Sequence, residues 1–125
     1  GPHGLPMTIK DCYETLDLAT TSGAPELAGH MATRDADVVR LLRRAGAIVW
    51  AKTNVPYYAG DHQTYNDVYG LTSNPWDLTR TAGGSSGGAA AARFASRPRS
   101  TACSDSRPPT VSCRVAGTSP AHPSR

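Results

Sequence analysis

The chain has 125 residues and a formal net charge of +3 at pH 7, a length that allows at most one domain. The charge is unevenly distributed, because residues 1–92 carry nine acidic and seven basic side chains whereas residues 93–125 carry six arginines and one aspartate. The basic excess therefore belongs to the last quarter of the chain. The acidic body does not indicate a specific nucleic-acid-binding surface.

The three cysteines, Cys12, Cys103 and Cys113, are an odd number without paired spacing, so neither a disulfide framework nor a zinc site is indicated. No apolar run is long enough to span a bilayer, and residues 1–6 lack the charged start and hydrophobic stretch of a signal peptide. We therefore expect a cytoplasmic location without membrane association. Because the sequence does not begin with methionine, we also expect it to be a fragment of a longer protein.

The first predicted element is a short strand at Met7-Thr8-Ile9, which follows a segment punctuated by proline and glycine. This strand brings Lys10 and Asp11 to its carboxyl end. A lysine in this position is either a functional group or an ordinary solvated side chain, and the segment alone does not separate the two.

The next predicted elements are a helix and a second strand. Asp35 can cap the helix, Gly46 can end it, and four apolar positions share one of its faces, namely Val38, Leu41, Leu42 and Ala45. Residues 47–51 then form a continuous apolar run, which predicts a strand covered on both faces. The order strand, helix, strand predicts an α/β architecture.

A glycine-serine segment, Gly83-Gly84-Ser85-Ser86-Gly87-Gly88, runs directly into four alanines, so it is expected to open a helix. Backbone N–H groups at a helix start favour negative charge, which suits acyl transfer or phosphate binding, although the lysine of a P-loop is missing. A flexible linker is the simplest alternative. The proline and tryptophan of the preceding residues 69–82 favour an ordered loop instead. The polar, aromatic loop at residues 61–69 either lines a ligand pocket or pins itself to the domain.

The segment after Ala92 differs sharply in composition from the rest of the chain. It offers only Phe94, Val111 and Val115 as large apolar residues among repeated arginine, proline and serine. Such a segment cannot bury enough surface to offset its ordering entropy, so residues 93–125 are expected to be a disordered tail.

Four blocks of residues 1–92 together resemble the amidase signature family. They are Gly4-Leu5-Pro6-Met7-Thr8-Ile9-Lys10-Asp11, Gly46-Ala47-Ile48-Val49-Trp50-Ala51-Lys52-Thr53-Asn54, Asn74-Pro75-Trp76-Asp77 and the glycine-serine segment. The resemblance implies that residues 1–92 are part of an amidase signature fold, a mixed sheet flanked by helices. It also implies hydrolysis of carbon-nitrogen amide bonds by a serine, cis-serine, lysine triad, without a metal or an organic cofactor.

Carried over by position, the resemblance makes Lys10 the triad lysine and Ser85 the bridging serine, whose preceding peptide bond is cis. In this chemistry a neutral lysine amine accepts a proton through the bridging hydroxyl from a serine nucleophile. Gly83, Gly84 and Ser86 are the expected substrate-binding neighbours in the same loop.

The nucleophile is missing where the resemblance puts it. An ungapped continuation from Ser85 brings Arg107-Pro108-Pro109 to the place of two glycines and the nucleophilic serine, and Pro109 has no hydroxyl. We therefore expect an amidase-family protein that is inactive as this chain stands, and the residues after Ala92 are typical of an out-of-frame or foreign continuation.

The expected partner of an active form is a small-molecule amide, whose identity the sequence leaves open together with the oligomeric state. Pro56-Tyr57-Tyr58 replaces a common acidic-aromatic pair, which favours general bacterial amidases over tRNA-dependent amidotransferases. The alternative function is a noncatalytic interaction module whose basic tail binds an acidic partner.

Overall fold

The computed structural model of the chain describes residues 1–95 and 113–115, with side chains described as far as residue 91. Its strands are β1 (Pro6–Lys10), β2 (Ile48–Thr53), β3 (Tyr65–Asn66), β4 (Gly70–Leu71) and β5 (Cys113–Val115), and its helices are α1 (Asp37–Arg44) and α2 (Gly87–Ala95). Short 3-10 turns span Pro25–Leu27 and Tyr57–Ala59.

The main sheet has the strand order β1-β2-β5, with β1 parallel and β5 antiparallel to β2. Parallel neighbours need a crossover connection, and the segment that contains α1 provides it. β3 and β4 form a separate antiparallel pair, and α2 packs against β1 and β2. The predicted mixed α/β architecture is therefore confirmed.

Helix α1 forms where it was predicted, but its start and its burial differ from the expectation. The residue that caps the helix is Ala36, without a side-chain hydrogen bond. Asp35 instead accepts a hydrogen bond from the backbone N–H of Leu16 at 2.7 Å. Val39 is fully buried, whereas Val38 and Leu41 of the predicted apolar face are 46% and 59% exposed.

Strand β2 is buried only towards its carboxyl end, which corrects the prediction of cover on both faces. Ile48 and Trp50 are 55% and 41% exposed, whereas residues 51–55 are all buried. The buried end of β2 lies beside the buried end of β1, where Ile9 pairs with Lys52. The site-bearing end of the sheet is thus its best-packed part.

Two short parts of the segment expected to be a disordered tail have described structure, namely residues 93–95 and 113–115. Helix α2 continues to Ala95, past the predicted boundary at Ala92, and Cys113–Val115 pairs with residues 51–53 of β2. The other residues of the predicted disordered tail lie outside the described ranges. The same is true of most of the basic tail to which the alternative function assigns partner binding. No helix within those ranges is long and apolar enough to cross a membrane.

Candidate active site

Lys10 and Ser85 meet at the carboxyl end of β1. The Lys10 amine, Nζ, donates a hydrogen bond to Ser85 Oγ at 2.6 Å, across 75 residues of sequence. Both side chains are half-buried, so the fold holds the pair while part of each side chain remains exposed to solvent. The two residues that the sequence singled out for proton transfer are therefore in direct contact.

The loop that presents Ser85 depends on close approach between backbone segments. Gly83 has a φ of 82°, in the left-handed region that favours glycine, and the peptide bond between Gly84 and Ser85 is cis. A Cβ atom added at Gly84 would lie 2.5 Å from the carbonyl oxygen of Asp61 and 2.8 Å from the amide nitrogen of Gln63. Glycine at position 84 is what lets the loop lie against residues 61–63.

Thr64 forms hydrogen bonds to both ends of this loop. The sequence analysis did not identify Thr64 as a site residue. Its hydroxyl donates to the carbonyl of Gly83 at 2.9 Å and accepts from the backbone N–H of Gly87 at 3.0 Å. Its side chain is completely buried. A lone threonine inside a polar loop gives no local signal of such a role, because only the fold brings it to the glycine-serine segment.

The other predicted site residues are neighbours of Ser85 in sequence. Within residues 1–91, no described hydrogen bond joins any of them to Lys10. Gly83 and Gly84 precede the serine. The Ser86 carbonyl accepts hydrogen bonds from the N–H groups of Ala89 and Ala90, both at 3.1 Å, and so begins the first turn of α2. Ser86 itself is exposed.

A polar network pins the loop between β2 and β4 to the start of α2. The buried Asn66 side chain donates to Asn54 Oδ1 and to the carbonyl of Val55, both at 2.6 Å, and Asn54 Nδ2 donates to Thr72 Oγ1 at 3.0 Å. A Cβ atom at Gly88 would clash with the backbone of Asn54. The amide of Asn66 therefore pins this loop to the residues that follow β2.

A buried ion pair lies on the other face of β1 and β2. Lys52 Nζ is 3.2 Å from Asp11 Oδ1, and the two side chains are only 4% and 2% exposed. Burial lowers the pKa of Lys52 from its usual value, and the charge of Asp11 opposes that shift. Elsewhere in the described ranges, no three His, Cys, Asp or Glu side chains gather in a way that could hold a metal ion.

The chain belongs to the amidase family, whose model matches residues 2–96. The predicted resemblance to amidase signature enzymes is thereby confirmed. The glutamyl-tRNA(Gln) amidotransferase A chain of Corynebacterium glutamicum (strain R) is 47% identical over 89 residues, which cover 71% of this chain and 18% of that protein. The corresponding protein of Methanococcoides burtonii is 40% identical over 123 residues, 95% of this chain and 26% of that protein.

Solved structures agree with this membership. The same amidotransferase component from Thermotoga maritima has a TM-score of 0.68 and 41% identity, covering 72% of this chain and 20% of that one. The 6-aminohexanoate cyclic dimer hydrolase complexed with substrate has a TM-score of 0.64 and 35% identity. The match covers 70% of this chain and 19% of that chain. The chain thus spans about a fifth to a quarter of the length of these relatives, and the match to the Methanococcoides protein extends beyond Ala92.

Proposed function

We propose that Lys10 and Ser85 are the lysine and bridging serine of a proton relay for hydrolysis of amide carbon-nitrogen bonds. The observation that supports this proposal is the hydrogen bond of 2.6 Å between Lys10 Nζ and Ser85 Oγ. With the amine neutral, the Ser85 hydroxyl donates to Lys10 and its oxygen is free to accept a proton from an attacking hydroxyl. One proton then moves onto Ser85 as another moves onto Lys10, and the nucleophile becomes able to attack the carbonyl carbon.

The second part of the proposal is that the 125-residue chain does not hydrolyse amides by itself. In an ungapped continuation from Ser85, the family position of the nucleophile falls on Pro109, which lies outside the described residues and has no hydroxyl. Without a nucleophile the covalent route through an acyl-enzyme is not open, whatever the state of the relay.

The substrate of this proposal is defined only as an amide. The Corynebacterium and Methanococcoides relatives are amidotransferase components, which does not favour the branch expected from Pro56-Tyr57-Tyr58. A hydrolase of a cyclic dimer is similar at 35% identity. Gly83, Gly84 and Ser86, which surround the relay serine, remain the proposed substrate-binding residues.

Two assays test the two parts separately. The purified chain, offered a panel of primary and secondary linear amides, is expected to release no more amine or ammonia than its Lys10→Ala and Ser85→Ala variants. Turnover that both substitutions abolish would contradict the proposed inactivity and would support the relay.

The relay is tested in a chimera in which residues 2–96 replace the matching segment of the 6-aminohexanoate cyclic dimer hydrolase. Lys10→Ala and Ser85→Ala are each expected to lower its kcat at least about a thousandfold, as losses in a catalytic triad do. Ser73→Ala, a serine of the preceding loop, is the matched control and is expected to change kcat less than about threefold. An active chimera that tolerates Lys10→Ala or Ser85→Ala would contradict the assignment.

A further inference from the structure

Two neighbouring tyrosines on the segment after β2 share one carboxylate. The hydroxyls of Tyr57 and Tyr58 donate to Glu26 Oε1 at 2.9 and 3.1 Å. The two rings meet edge to face, with their centroids 4.7 Å apart and their planes at 85°. Each tyrosine is more than half exposed, and Glu26 is exposed as well. These three side chains, the tyrosine-carboxylate cluster, therefore face solvent together.

The backbone beneath the cluster is fixed by two turns that pack closely. Glu26 lies in the 3-10 turn that Pro25 begins, and the tyrosines lie in the turn that follows the buried Pro56. Gly23 lets the two turns approach, because an added Cβ atom would lie 2.9 Å from the carbonyl oxygen of Val55 and 3.0 Å from that of Pro56. The fold therefore holds the cluster in place by backbone packing.

Tyr58 has a backbone conformation that bulky residues seldom adopt. Its φ of 45° lies in the left-handed region. Its N–H donates to the carbonyl of Ser22, and the N–H of Ala59 donates to the carbonyl of Pro56, both at 2.8 Å. Such conformations persist only where the surroundings impose them, and they concentrate at active sites and ligand clamps. The exposed ring of Tyr58 is therefore a candidate for ligand contact.

The cluster carries a negative charge that no neighbouring cation balances. Hydrogen bonds from its own backbone and from Tyr57 lower the pKa of the Glu26 carboxyl from its usual value, so the group is ionised at neutral pH. Within residues 1–91, no lysine, arginine or histidine forms an ion pair with it. Carboxylates and the faces of aromatic rings both attract positive charge, so the cluster is complementary to an organic cation.

We propose that Glu26, Tyr57 and Tyr58 form a binding site for the alkylammonium group of a small soluble molecule. The carboxylate supplies the opposite charge, and the exposed parts of the two rings contact the ammonium and the carbon atoms bonded to it. The same negative charge repels anions and gives a neutral group of equal shape no advantage. The proposal concerns binding alone and goes beyond the proposed relay, on which it does not depend.

The test is an NMR titration of the full chain with ¹³C-labelled tyrosine rings. The probes are choline chloride and butylammonium chloride, each matched by sodium chloride at equal ionic strength, and choline also by its neutral isostere 3,3-dimethylbutan-1-ol. Both ammonium compounds are expected to shift the ring resonances of Tyr57 and Tyr58 saturably, with a Kd on the order of 10 mM. The neutral alcohol is expected to bind at least about fivefold more weakly.

Tyr65 is the internal control for this titration. It is 53% exposed and its hydroxyl also donates to a carboxylate, that of Asp67 at 2.8 Å, but its ring is not part of the edge-to-face pair. Its resonances should therefore follow the sodium chloride titration.

Substitutions of exposed residues assign the binding to the cluster. Glu26→Gln keeps the shape of the side chain and removes its charge, and Tyr58→Leu removes one ring. Each is expected to weaken choline binding at least about threefold. Tyr65→Leu is the matched control and is expected to leave the Kd within about twofold of the wild type.

A purely structural role for the cluster predicts that neither ammonium compound shifts Tyr57 or Tyr58 beyond the sodium chloride control, and that result would overturn the proposal. Equal shifts with the neutral alcohol or at Tyr65 would overturn it too. Lipid headgroups are another source of the same ammonium chemistry. Sedimentation of the chain with phosphatidylcholine vesicles, without binding of soluble choline, would contradict the assignment to a small molecule. Because no turnover is measured, these outcomes are independent of the chimera assay.

Discussion

The two lysines of this chain stand on neighbouring strands and have opposite surroundings. Lys10 is half-buried, and its amine contacts the hydroxyl of Ser85 at 2.6 Å. Lys52 is 4% exposed, and its amine contacts a carboxylate that is 2% exposed. Register alone separates them, because Lys10 pairs with Thr53 and Lys52 pairs with Ile9.

The difference shows how one sheet can hold one lysine in a buried ion pair and another beside a serine hydroxyl. A buried ion pair fixes charge, since either partner alone would be an uncompensated charge in the interior. The hydroxyl of Ser85 carries no charge, so it holds the Lys10 amine in place by a hydrogen bond and not by an ion pair. Substitutions at the two lysines and at the residues around them test this contrast.

Lys52→Met is expected to destabilise the fold by about 3–5 kcal/mol, because it leaves the carboxylate of Asp11 buried without its partner. Lys10→Met is expected to cost less than about 1 kcal/mol, because it removes one half-buried hydrogen bond and no buried charge. Urea unfolding of both variants measures the difference. Equal losses would mean that the two lysines do not differ in the way described.

Gly84→Ala is expected to destabilise the chain by about 2–3 kcal/mol, because the new Cβ atom would meet the backbone of residues 61–63 and the loop would have to move. Gly29→Ala is the matched control, since a Cβ atom there meets nothing within 4 Å. Urea unfolding again gives the comparison. The effect belongs to the Lys10 side of the sheet, so acetylation of Lys52 in native Gly84→Ala should stay as slow as in the wild type.

Thr64→Val is expected to cost about 1–3 kcal/mol, because the Gly83 carbonyl and the buried Gly87 N–H both lose the Thr64 hydroxyl. Thr79→Val removes an exposed threonine hydroxyl whose partner is Asp77, and is expected to change stability by less than about 0.5 kcal/mol. Similar values for the two valine variants would contradict the role given to Thr64.

In the chain without ligand, Glu26→Gln is expected to have the smallest effect, confined to the titration of two exposed tyrosines near the site-bearing end of the sheet. The Glu26 carboxylate accepts hydrogen bonds from Tyr57 and Tyr58 and raises the pKa of each above its usual value of 10.0. The substitution removes that cause, so both pKa values fall towards 10.0. Absorbance in the near ultraviolet, where the tyrosinate form absorbs, measures the shift.

The sign of the accompanying stability change follows from the same pKa shifts. A raised folded-state pKa contributes stability below the unfolded-state pKa, and this contribution is lost as the pH rises through the folded-state pKa. The wild type therefore loses this contribution above about pH 10, and Glu26→Gln lacks it throughout. Tyr65, whose pKa is raised by Asp67, is the internal control and should titrate unchanged.

The sequence was informative where a local rule acts on neighbouring residues. The helix after Asp35 and the α/β order followed from periodicity, and the four blocks of the family resemblance directed attention to Lys10 and Ser85. Each of these depends on residues within a short window or on a familiar motif. The contact between Lys10 and Ser85 could be expected only because the resemblance had already paired them.

The remaining features depend on tertiary contacts between residues far apart in sequence, and a local sequence pattern carries no information about those contacts. Periodicity put Val38 and Leu41 on a shared face, but both are about half exposed, whereas Val39 is fully buried. Asp35 has the chemistry of a cap and instead binds the backbone of Leu16. The clamp by Thr64 and the pairing of Asp11 with Lys52 join residues far apart in sequence, and no spacing rule relates them.

The most direct measurement is competitive acetylation of Lys10 and Lys52 in the same wild-type chain, with the amino terminus of Gly1 as the standard. We expect Lys10 to react readily and Lys52 to react at least about a hundredfold more slowly, because Lys52 becomes accessible only when the core opens. Comparable rates for the two lysines in the folded chain would contradict the contrast between an accessible Lys10 and a buried Lys52.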